Sequence, residues 1–156
     1  MKKLVLIAAL GLAGLASVPA HALTTTANFD VTVNLFPKCE ITTAPGNLSV
    51  NYDSFQVGAA ATTTDFSVRC TNTLPYAMSL SSSSGTLVGL SYTLAIRNSA
   101  DTAVASSGTG AGTTPADYKV KLSVAGGQSG TCATVQTSGA SACSATDSAR
   151  TLTITY

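Results

Sequence analysis

Five aspartates, Asp53, Asp65, Asp101, Asp117 and Asp147, are the side chains of this sequence best suited to catalysis. Two of them brought face to face could act as the acid and base of glycoside hydrolysis. Lys119 and Lys121 could activate a serine, but no motif surrounds them. Aspartates scattered among Ser, Thr and Gly are far more often turn formers, because the carboxylate accepts hydrogen bonds from nearby backbone N–H groups. The single histidine, His21, lies in an N-terminal segment that reads as removed. Without it the chain has no Ser-His-Asp triad, no blue-copper site and no His-ligated zinc. An enzyme is therefore not expected, nor a metal or other cofactor.

The cysteines point to a different chemistry. Cys39, Cys70, Cys132 and Cys143 form no Cys-x-x-Cys pair, which argues against zinc and against a thioredoxin-like redox site. An even number in an exported chain reads as two disulfides. Three connectivities are open. Pairing each cysteine with its sequence neighbour, Cys39–Cys70 and Cys132–Cys143, is the favoured one, and the second bond then closes a Gly/Ser-rich excursion. Loop-closure entropy would make these worth at most ~3.7 and ~2.8 kcal/mol.

Export is read from the N-terminus. Met1-Lys2-Lys3 is basic, Leu4 to Val18 is apolar, and Ala20-x-Ala22 is a small-x-small cleavage signal. The apolar run is too short to span a bilayer, so residues 1–22 read as a secretory leader. Cleavage after Ala22 leaves 134 of the 156 residues. Removing Lys2 and Lys3 from the eight basic residues leaves six against seven acidic ones, a charge of −1. There is no basic excess for nucleic acid, and the mature chain has no second apolar run for a membrane span. Only 10% of residues are charged, against roughly 25% in an average soluble protein. A surface of Thr, Ser, Ala and Gly suits an assembled extracellular protein better than an isolated cytosolic one.

These residues must be positioned by strands, since nothing in the mature chain has the period of an amphipathic helix. Ala27, Phe29, Val31, Val33 and Leu35 alternate with polar residues until Pro37 ends the run. Cys39 and Ile41 continue briefly. Further alternation occurs at Leu48–Tyr52, Phe66–Cys70, Tyr76–Leu80, Leu90–Ile96, Tyr118–Val124 and Leu152–Tyr156. Ser81–Gly85 reads as a turn, 98–115 as a long loop, and 128–149 as a small, polar stretch around the second cysteine pair. Short one-faced strands at this spacing predict one all-β antiparallel sandwich. Tyr52, Phe55, Tyr76, Tyr92 and Tyr118 could stack on sugars, as in a carbohydrate-binding adhesin, but in alternating strands such residues read as core.

The first strand has two readings. It can be an edge strand of its own sheet, which gives a self-complete secreted coat-type protein. It can instead be a detachable arm, 23–36, preceding a sandwich over 37–156. A long, nearly uncharged apolar edge is an aggregation hazard unless it has a designated partner, which favours the arm.

Order and spacing of these pieces also carry a resemblance. Phe29-Asp30-Val31-Thr32-Val33-Asn34-Leu35, Cys39-Glu40-Ile41, Phe66-Ser67-Val68-Arg69-Cys70-Thr71, Pro75-Tyr76-Ala77-Met78-Ser79-Leu80, Leu90-Ser91-Tyr92-Thr93-Leu94 and Arg150-Thr151-Leu152-Thr153-Ile154-Thr155-Tyr156 resemble a spore coat protein U domain. That family includes pilins of the archaic chaperone–usher pathway. The Cys132/Cys143 pair is not part of the family pattern.

The resemblance implies an immunoglobulin-like sandwich that lacks its final strand and is completed by donor-strand complementation. It implies a periplasmic chaperone that lends a strand, and an outer-membrane usher at which the next subunit's arm replaces it. The product would be a head-to-tail polymer of like or unlike pilin subunits at the cell surface, supporting adhesion and biofilm formation. Carried over, the donor side chains are Ala27, Phe29, Val31, Val33 and Leu35. Leu152, Ile154 and Tyr156 of the terminal strand flank the acceptor groove.

Overall fold

The computed structural model describes residues 23–133, 143–148 and 150–156. The expected leader, 1–22, lies outside the described residues, as do 134–142 and 149. The chain divides into two units, Met1–Asn34 and Leu35–Tyr156. In the first, residues 23–34 carry no helix and no strand. The alternating stretch Ala27–Leu35 is thus not paired, although its side-chain pattern is that of a strand.

The described residues of the second unit form eight strands: β1 (Cys39–Thr43), β2 (Ala60–Cys70), β3 (Pro75–Leu80), β4 (Ser84–Leu87), β5 (Leu90–Asn98), β6 (Ser107–Thr109), β7 (Ala116–Val124) and β8 (Leu152–Thr155). Five form one sheet in the order β1-β2-β7-β5-β4, and three form another in the order β6-β3-β8. Every pairing is antiparallel. This is the expected all-β sandwich. No helix among the described residues is long and apolar enough to cross a membrane.

The inward positions of both sheets make the core. Phe66, Val68 and Cys70 of β2, Tyr92, Leu94 and Ile96 of β5, and Val120 and Val124 of β7 meet Tyr76 and Met78 of β3. Phe66 stacks on Tyr118 with ring centroids 5.5 Å apart. The hydroxyls of Tyr76 and Tyr118 lie 2.8 Å from each other, and Gly108 gives them room, since a Cβ there would overlap both. Burial, with the Tyr118 bond second, pushes the Tyr76 hydroxyl's pKa well above its ordinary value.

Three local expectations change. Leu48, Val50 and Tyr52 form no strand, yet they are partly buried against the core. β4 begins inside the expected turn at Ser81–Gly85, and β6 lies inside the expected loop 98–115. Both are edge strands of small residues. A ladder needs only backbone groups, so side-chain alternation gives no sign of them.

The registers define two ends of the sandwich. At one stand Cys39, Cys70, the start of β3 and the end of β8. At the other stand Ala60, Leu90, Val124 and the start of β8, where the Ser81 N–H donates to the Thr151 carbonyl at 2.9 Å.

Candidate functional site

The aspartates are held by partners that leave no acid–base pair. Asp65 pairs with Lys119 across β2 and β7. Asp101 accepts from Arg97 Nε at 2.9 Å and from Lys121 Nζ at 2.6 Å. Asp117 accepts from the Ser67 hydroxyl at 2.6 Å. Asp147 accepts from the Tyr92 hydroxyl at 3.0 Å and from Arg150 at 2.7 Å. Asp53 closes a turn through its carbonyl, which accepts the Gln56 N–H at 3.0 Å. The hydrogen bond from Lys121, followed by Arg97, holds Asp101 below the usual carboxylate range, the opposite of a general acid. Among the described residues no three metal-ligating side chains gather. Tyr76 and Tyr92 are buried, and Tyr52 and Tyr118 are partly buried, so of the five aromatics that could stack on sugars only Phe55 is exposed.

Cys39 bonds to Cys70, and Cys132 to Cys143. Cys39 and Cys70 are direct register partners, with Cα atoms 4.1 Å apart. Beside them the Thr71 N–H donates to the Lys38 carbonyl at 2.9 Å. The cysteines therefore occupy a non-hydrogen-bonded position, where facing residues come closest. This bond ties the start of β1 to the end of β2.

The open feature of the sandwich runs along β8. This strand has β3 on one side and, among the described residues, no strand on the other. Its register sets Leu152 against Leu80 and Ile154 against Met78, facing the core. The Ser81–Thr151 bond fixes the hydrogen-bonding phase, so Thr151, Thr153 and Thr155 turn their backbone groups toward β3. Leu152 and Ile154 turn theirs to the free edge. The edge thus offers backbone donors and acceptors beside half-buried apolar side chains. Tyr156 lies past the end of β8 and is exposed.

The five-stranded sheet repeats this lack of cover. Ile41 shares the inner face with Cys39 and stands opposite the buried Val68, yet it is 39% exposed. Pattern reading found Ile41 only as the tail of a short strand, because alternation tells which face a residue takes and not whether that face is covered. In the N-terminal segment, Phe29, Val31, Val33 and Leu35 are 75% to 85% exposed. The expected donor and acceptor side chains are thus apolar and incompletely buried.

A family model described as Spore Coat Protein U domain matches residues 25–105. The chain belongs to the Spore Coat Protein U domain family. That places it among structural proteins of the pilus or coat type. The matched stretch takes in the alternating N-terminal segment and β1 to β5, and it ends before β8. No curated protein and no solved structure matches the chain.

Proposed function

We propose that this member of the Spore Coat Protein U domain family is the structural subunit of a surface pilus, polymerised by strand exchange. The mature chain crosses the periplasm with a chaperone strand in its open groove. At an outer-membrane usher, residues 23–36 of a neighbouring subunit take that place. Phe29, Val31, Val33 and Leu35 enter the groove beside Leu152, Ile154 and Ile41, and their backbone pairs with the free edge of β8.

The observation that carries this reading is the β8 edge, free of any strand among the described residues, with its half-buried Leu152 and Ile154, in a chain that also holds an alternating segment of matching period outside any described strand. Four apolar side chains at about 1.5–3 kcal/mol each make a large gross term. Ladder bonds add to it, and ordering the arm subtracts from it. The repeated contact is head-to-tail and does not close, so it yields a fibre.

The test uses a chain beginning at Pro37, refolded under oxidising conditions and melted with and without a peptide covering Thr26 to Phe36. A saturable rise in melting temperature, lost with a Val31→Asp peptide, is the expected result. Equal stability without peptide would mean a sandwich already complete, and the self-complete coat-type reading would replace this one.

A further inference from the structure

Among the described residues, Phe55 is one of four non-glycine residues of the folded unit with a positive φ, beside Thr73, Val88 and Asp101, and the one with an exposed aromatic ring. Its φ is 68°, in the left-handed region that bulky side chains avoid. Its ring is 75% exposed, and Val57 is 96% exposed. The loop is nevertheless firmly held. The Phe55 N–H donates to the Gln128 carbonyl at 2.9 Å, the Ser54 hydroxyl to the Ser129 carbonyl at 2.7 Å, and the Gly127 N–H to the Gln56 carbonyl at 2.7 Å. Gly126 permits the approach, since a Cβ there would strike the Val57 carbonyl. Backbone strain that is over-determined by its surroundings, with apolar side chains turned outward, is a mark of function.

Topology supplies the partner. The loop sits at the end of the sandwich where β8 begins, because it is bonded to 127–129, just beyond Val124 of β7. The chain enters β1 at the opposite end, through Phe36-Pro37-Lys38. A strand added antiparallel to β8, the orientation of every strand pair here and the more stable one per residue, finishes beside Leu152. Its own sandwich must start close by, since the step from Leu35 to Cys39 reaches at most about 14 Å. The entry end of the donor subunit is thereby carried to the Phe55 end of the acceptor. The two ends are complementary. One offers Phe55, Val57 and Asp53, an acid with no ion pair among the described residues. The other offers the exposed Phe36 and the largely exposed Lys38, whose Nζ also pairs with Glu40 at 2.8 Å.

We infer that the Phe55–Val57 loop is a docking surface for a second copy of this chain and seats against that copy's Phe36–Lys38 entry segment. This rests on the strand-exchange reading and adds to it. Each junction then has an end contact that stiffens the fibre besides the groove contact that joins it.

The experiment places a photoreactive benzoylphenylalanine at Val57 in the full mature chain, and in a second preparation at Val33. Each is assembled, irradiated, digested and mapped by mass spectrometry. The expected Val57 cross-links join residues 36–38 of another copy, and the Val33 cross-links join β8. Val33 linked to β8 while Val57 links elsewhere, or not at all, would overturn the end contact and leave strand exchange standing. No link from Val33 to β8 would remove strand exchange and the end contact with it. As a further check, Phe55→Asn, which tolerates the left-handed backbone, combined with Val57→Ser should leave the subunit's melting temperature unchanged. The same change should give shorter, more flexible fibres in electron micrographs. Fibres of unchanged length and stiffness would count against the contact.

Discussion

Ile41 and Val68 face one another across β1 and β2 on the same side of the sheet, yet Val68 is 1% exposed and Ile41 39%. Two apolar neighbours in one register cannot differ so widely unless cover stops between them. Their mutants should therefore differ in kind. Val68→Ala opens a cavity in a closed core and should cost the subunit roughly 2 kcal/mol of stability. Ile41→Ala should barely move the melting temperature of the chain beginning at Pro37, but weaken its response to the Thr26–Phe36 peptide several-fold. Comparing melts with and without peptide separates the two effects.

The arm makes the reciprocal prediction. Val31→Asp or Val33→Asp changes a side chain that is exposed in the subunit, so its own fold should be unaffected. In the groove the same carboxylate would be buried without a partner, at a cost of several kcal/mol. Size-exclusion chromatography should show monomers where the unmodified chain polymerises, with unchanged circular dichroism. Normal polymers from both variants would remove these side chains from the groove.

The sandwich was readable wherever large apolar side chains alternate, as in β3, β5, β7 and β8. It was not readable where pairing rests on small residues: the Ala60–Asp65 half of β2, Ser84–Leu87, and Ser107–Thr109. Leu48, Val50 and Tyr52 show the converse, since alternation there buries side chains against the core without building a ladder. The edge position of β8 and the bareness of Ile41 are properties of strand order. That order is decided by contacts between residues far apart in the chain, and no local pattern encodes it.

Disulfide removal should act on the unfolded chain as much as on the folded one. Cys39 and Cys70 are separated by 31 positions, so their bond closes a long loop. Chain entropy makes it worth about 3–4 kcal/mol. The bond also fixes the start of β1, on which Ile41 depends. Cys39→Ser with Cys70→Ser should lower the urea midpoint markedly and reduce the yield of soluble subunit. The pair Cys132→Ser and Cys143→Ser should lower the midpoint less, because its separation is 11. Equal losses from the two double mutants would contradict the loop-length argument.

Acid sensitivity should come from the outer face of the five-stranded sheet. Glu40 lies between Lys38, at 2.8 Å, and Arg69, and their bonds, Lys38's first, hold its pKa below the ordinary 4.5. Asp101 is likewise held below 3.8, first by the bond from Lys121. A carboxylate whose pKa is lower in the folded state stabilises that state above its unfolded value, and the contribution fades as pH falls through the folded one. These two groups should therefore leave the melting temperature steady from neutral pH down to about 5 and depress it progressively in stronger acid. Both carboxylates keep partial contact with solvent, so salt should shrink the effect. Glu40→Gln and Asp101→Asn should each flatten the acid limb and lower the melting temperature modestly at neutral pH. An acid limb that keeps its full slope in the double variant would place the acid sensitivity on other carboxylates.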